Sequence, residues 1–167
     1  MLSDLEHLIR LQQIDTATEQ LRQRIEAIPS QLASSQDTLE RSRATLVTAQ
    51  DTLADNKRVR TDVENDLAAA QSQLSKFKEQ TLAVKTNTEL WAIQKEIATS
   101  EDKVRHAEDQ ILELMLAADE LTSDVREAEA ALKAEEARTK KETGACEAEQ
   151  VKLQAELQKN TDLRSTV

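Results

Sequence analysis

The 167 residues include one Gly, one Pro, one Trp, one Phe and no Tyr, while 32% are charged and 22 Lys plus Arg stand against 32 Asp plus Glu, a net charge of −10. So few turn residues and aromatics exclude a core assembled from several short elements, and the regular return of Leu, Ile, Val and Ala excludes a disordered chain. The acidic balance disfavours duplex nucleic acid or an anionic membrane as the main partner.

From Leu11 to Phe77 the apolar residues keep a seven-residue beat. One row is Leu11, Thr18, Ile25, Leu32, Leu39, Leu46, Leu53, Arg60, Leu67 and Leu74; the other is Ile14, Leu21, Ile28, Ser35, Ser42, Ala49, Asn56, Val63, Ala70 and Phe77. Sustained over so many heptads, this is the pattern of a coiled coil. Pro29 falls one residue after a seam position, so a kink or short interruption is expected near Ala27 to Ser30, with Ser30 or a neighbour recapping. Asn56 and Arg60 are polar intrusions that set register or snorkel to solvent. The opening run of Met1, Leu2, Leu5, Leu8, Ile9, Leu11 and Ile14 is wider than a two-helix stripe and calls for a further helix or domain.

Residues 82–89 interrupt the pattern at the midpoint of the chain. Val84, Thr86, Asn87 and Thr88 are poor helix formers, and Thr86 with Glu89 fits a capping box, with Asn87 or Thr88 as alternative N-caps. The apolar spacing resumes at Leu90 and Ile93. The sequence therefore predicts an all-α fold: one long antiparallel two-helix coiled-coil hairpin, with arm one at 1–81, a tip at 82–89 and arm two at 90–165, kinked near Pro29. Two such arms would form a rod of roughly 120 Å; a parallel dimer without the turn would be about twice as long.

The second arm carries Leu90, Ile97, Val104, Ile111, Ala118, Val125 and Leu132 in one row and Ile93, Ser100, Ala107, Leu114, Leu121 and Ala128 in the other. The same count then meets Glu135, Thr139, Glu142, Cys146 and Glu149 before Leu153, so Ala137, Ala145, Ala148 and Val151 are expected to take over after a stutter. In the simplest antiparallel register, facing residues have numbers adding to about 167. That sets Leu46 near Leu121, Ser35 near Leu132 and Cys146 beside Leu21.

No catalytic or metal constellation emerges. His106 has Asp102, Asp109 and Gln110 within a turn, but a solvated charged face explains them, and Cys146 reads as a small seam residue with no nearby His to activate it. A lone Cys gives no disulfide and fits a reducing compartment. No stretch reaches the run of about 18 apolar residues that spans a bilayer, and the opening residues lack a signal-peptide pattern, so a soluble cytoplasmic protein is expected. The distinctive place is the tip, where Lys78, Val84, Lys85, Asn87, Glu89, Trp91 and Lys95 gather. Trp91 either plugs the end of the coiled coil or stands out as an anchor for a protein partner.

Particular blocks resemble a known family. They are the opening Leu8, Leu11, Gln12, Ile14 and Asp15; the Ile28-Pro29 step; the central Val84-Lys85-Thr86-Asn87-Thr88-Glu89-Leu90 running into Ile93-Gln94-Lys95-Glu96-Ile97; and Glu108 to Met115. These are similar to the amino-terminal part of the bacterial C4-type zinc-ribbon family, in which a coiled-coil hairpin precedes a small ribbon. The resemblance implies a cytoplasmic adaptor, regulator or chaperone with protein partners, including an alternative sigma factor or a flagellar or secretion component. The two Cys pairs of the ribbon are missing, so this sequence is either part of a longer chain or a ribbonless variant, with no cofactor of its own and zinc held only by the ribbon. Rival readings are the handle of a nucleic-acid-binding ribbon protein and a purely structural parallel dimer; homo-oligomerisation is left open.

Overall fold

The computed structural model describes the backbone of residues 2–166 and the side chains of residues 5–166. It contains two helices, α1 (Leu2–Thr81) and α2 (Asn87–Thr166), joined by a five-residue turn at 82–86. The chain is an all-α helical hairpin, which overturns the parallel dimer lacking a midpoint turn. Both helices contribute to two compact units, one of Met1–Ala44 with Ala130–Val167 and one of Thr45–Glu129.

The heptad rows account for what is covered. Every seam position from Leu11 to Phe77 is buried or half-buried, Arg60 and Asn56 among them. A two-helix layer encloses little, and the fully apolar centre of the first unit is small: Leu21, Ile28 and Leu153, with Ile25, Leu32, Cys146 and Leu157 packed against them. In the second unit the buried positions are the small residues Ser100 and Ala107.

The helix is not interrupted at Pro29. Residues 27–30 are helical throughout, and Ser30 caps nothing. Pro29 deprives the Ile25 carbonyl of its helical donor, which costs about 3 kcal/mol in a helix interior. Its ring faces outward, while the adjacent Ile28 is only 3% exposed. Burying Leu21, Ile28 and Leu153 contributes about 1.5–3 kcal/mol each, enough together to outweigh the proline.

The second arm does not stutter. Ala137, Ala145, Ala148 and Val151 are all exposed, and Glu135, Thr139, Glu142, Cys146 and Glu149 keep the seam. Thr139, Glu142, Cys146 and Glu149 find polar partners across the hairpin, which lowers the penalty of covering them. The Ser35 hydroxyl donates to the Glu142 carboxylate at 2.7 Å and lies 3.3 Å from the Thr139 hydroxyl. Arg138 donates to the other Glu142 oxygen at 2.8 Å, Arg24 pairs with Glu149 at 2.6 Å, and the Cys146 thiol lies 4.0 Å from the Gln31 side-chain oxygen. The Glu135 Oε1, Thr18 Oγ1 and Asn56 Oδ1 atoms are covered without a hydrogen-bond partner among the described residues.

These contacts also correct the register. Arg24 with Glu149, Ser35 with Thr139, Gln31 with Cys146, Arg43 with Glu136, Asp15 with Arg164 and, in the second unit, Lys78 with Glu101 have numbers adding to between 173 and 179, not about 167. The arms are thus displaced by about one heptad, roughly 10 Å along the helix. Ser35 meets Thr139 instead of Leu132, and Cys146 lies near Gln31 instead of Leu21. The displacement sets Ser35 against both Thr139 and Glu142.

Of the wide apolar opening, Leu11 and Ile14 are half-buried in the seam, while Leu5, Leu8 and Ile9 are exposed. Met1 and Leu2 lie outside the described side chains.

Two outcomes follow from this register. In a C146A background, S35C with T139C should form an intramolecular disulfide on oxidation, whereas S35C with L132C should not, because a heptad offset exceeds the roughly 7 Å Cα limit for bridging. Crosslinking of the second pair alone would restore the simpler register. The Glu142 carboxyl is held below its ordinary value, chiefly by the Ser35 hydrogen bond and then by Arg138. A lowered folded pKa stabilises above the unfolded value near 4.5 and is lost as the pH falls through the folded one. E142Q should therefore melt below the parent at pH 7, and the gap should close as the pH is lowered beneath 4.5.

Candidate partner-binding tip

The end of α1 tightens before the chain turns. The Leu82 and Ala83 amides donate to the carbonyls of Glu79 and Gln80 at 3.1 and 3.0 Å, three residues back, and the Thr81 hydroxyl donates to the Phe77 carbonyl. No described residue needs a positive φ, which explains how the turn is made without glycine.

α2 starts three residues earlier than expected, at Asn87, because Thr86 is the N-cap. The Glu89 amide donates to the Thr86 hydroxyl at 3.3 Å, and the Glu89 carboxylate accepts from the amides of Thr86 and Lys85 at 3.2 and 3.3 Å. This reciprocal box satisfies amides that the first helical turn leaves open. It holds the Glu89 carboxyl below its usual range, first through Thr86 and then through the Lys85 and Thr86 amides.

The structure sorts the expected tip residues into two roles. Val84 is half-buried, Asn87 is the first residue of α2, and Glu89 closes the cap. Lys78 is occupied by Glu101 across the hairpin at 3.1 Å. Lys85, Trp91 and Lys95 face solvent. Trp91 does not plug the coiled coil: it is 67% exposed, with the Lys95 ammonium 5.9 Å from the ring centre, within cation–π range. A Lys there screens one face of the indole and leaves the rest available.

One residue escapes a heptad reading. Leu82 is 90% exposed in the turn. Its signal was present, since it falls outside both seam rows beside the half-buried Thr81 and Val84. Leu82 and Trp91 give this end two large apolar groups, with Lys85 and Lys95 outside any ion pair among the described residues. Such a surface can dock a complementary apolar hollow with an acidic edge.

Elsewhere, His106 is exposed and its neighbour Asp102 is taken up by Arg105 at 2.6 Å. Among the described residues no group of three or more His, Cys, Asp or Glu is arranged to hold a metal ion, and no helix is long and apolar enough to cross a membrane. A groove of about 380 Å³ follows the polar seam of the first unit, lined by Ser35, Arg138, Glu142 and Cys146 among others.

Comparison with curated proteins and with solved structures gave no match. The profile of the CT398-like coiled coil hairpin domain matches residues 11–167, nearly the whole chain. With its two helices, its single reversal and this match, the chain belongs to the CT398-like coiled coil hairpin domain family.

Proposed function

We propose that the hairpin is a non-enzymatic adaptor that captures protein partners at its turn. A coiled-coil hairpin domain suits an interaction or structural role, and the observation that supports this particular end is the exposure of Leu82 and Trp91 next to Lys85 and Lys95. Large apolar groups left in water on a monomeric surface mark contact sites when they cluster, and Trp is enriched among the residues that dominate such contacts. The capping box bears on this too. It fixes the start of α2 and with it the direction in which Trp91 projects, so that binding would not have to order the turn.

The resemblance of residues 84–97 to the hairpins that precede C4-type zinc ribbons supports a sharper version. In it the adaptor is a regulator or chaperone serving transcription and flagellar or secretion assembly, with an alternative sigma factor or a secretion component as partner, and it works in the cytoplasm.

Capture from the native cell extract by the parent chain should be lost with the L82S/W91A/K85A variant. Exposed substitutions of this kind change stability by no more than about 0.5 kcal/mol each, so the variant should keep its helical signal and melting temperature. Undiminished capture by a folded variant would remove the turn from the reading.

A further inference from the structure

We infer that the outer face of α2 in the second unit holds a separate docking site, formed by Leu112, Met115 and Leu116, for a basic amphipathic helix. Residues three and four apart share one helical face. These three are 59%, 48% and 69% exposed, whereas the seam just beside them, Ile111, Leu114 and Ala118, is half-buried. They are not part of the heptad rows, and they contribute little to holding the hairpin together. Two leucines and a methionine in water form a patch about one turn long, and methionine's flexible thioether adapts to varied apolar partners.

The surrounding charge selects the occupant. From His106 to Val125 the helix carries Glu108, Asp109, Glu113, Asp119, Glu120 and Asp124 and no Lys or Arg. None of these six carboxylates belongs to an ion pair among the described residues, although other acids of the same unit, Asp55, Glu64, Glu101 and Asp102, do. On the facing stretch of α1, Arg58 and Arg60 are paired with Asp55 and Glu64, so the unpaired carboxylates of α2 set the sign beside the patch, and they attract a ligand with apolar groups at its centre and the opposite sign around them. A helix with Leu or Ile at i, i+3 and i+4, flanked by Lys and Arg, meets both requirements. A second copy of this chain would bring its own carboxylates against these, and an anionic lipid surface would be repelled likewise. The site is independent of the turn, since it uses neither Leu82 nor Trp91.

The test uses the full chain and a fluorescent 18-residue amphipathic peptide with a leucine stripe and Lys/Arg flanks, read by anisotropy. The parent should bind, and L112S/L116S should bind at least about tenfold more weakly, a loss of about 1.4 kcal/mol, with unchanged helical content. V151S, an equally exposed apolar position in the other unit, should bind as the parent does. Raising the salt well above physiological strength should weaken the parent complex, and a peptide with Glu in place of Lys and Arg should not bind. The inference is overturned if L112S/L116S binds like the parent, if the Glu peptide binds as well, or if the parent fails to bind. Self-association of the parent that L112S/L116S abolishes, or parent binding to anionic vesicles, would equally overturn it by naming another occupant.

Discussion

Two helices packed side by side touch along a single strip, and whatever specificity the hairpin has must be written there. Without a third layer among the described residues, no described side chain is shielded from every direction, and the apolar centre of the first unit reduces to Leu21, Ile28 and Leu153 with their neighbours. The pairing of one strip with the other, in one register and antiparallel, is therefore the constraint on which the turn and both outer faces depend.

Polar seam residues make that register selective. A strip of uniform leucine can slide by a heptad at little cost, since every leucine finds another. Ser35, Thr139 and Glu142 cannot, because sliding would cover a carboxylate and hydroxyls without partners. The flanking pairs Arg43–Glu136 and Arg24–Glu149 add selectivity more than strength, being partly exposed. In the second unit Lys78–Glu101 has the same role next to the turn. With the strip fixed, side chains off the beat are free for other purposes, and that is where Leu82, Trp91, Leu112, Met115 and Leu116 are found.

Much of this was legible in the residues. Every seam position that the beat named along α1 is covered, and Thr86 with Glu89 marked the start of α2 more accurately than the first apolar residue after it. What could not be read was relative position. A heptad row repeats every seven residues, so its periodicity is identical in registers one heptad apart, and it is the cross-hairpin polar pairs, Ser35 with Glu142 foremost, that separate them. By hydrophobicity alone Glu135 to Glu149 look like a failed seam, because that measure ignores the Ser35 and Arg24 side chains of the facing arm that satisfy Glu142 and Glu149. At Pro29 the local penalty is plain in the sequence, whereas the burial of Ile28 that keeps the helix unbroken there is a property of the pair. Of the tip, the outward direction of Trp91 needed coordinates, because a tryptophan beside a turn is equally suited to covering it.

The function proposed for the hairpin inherits this logic, since a rigidly registered pair presents its off-beat side chains in fixed places. The pairing is tested most directly by spin labels at Gln71 and Glu108, exposed positions of the second unit one heptad along the flank from Lys78–Glu101, with Gln71 and Glu101 as the comparison. In a sample diluted with unlabelled chain, the account predicts a short distance for 71 with 108 and a longer one for 71 with 101, displaced by roughly 10 Å along the axis. A shorter distance for 71 with 101, or a short distance that vanishes on dilution, would contradict it.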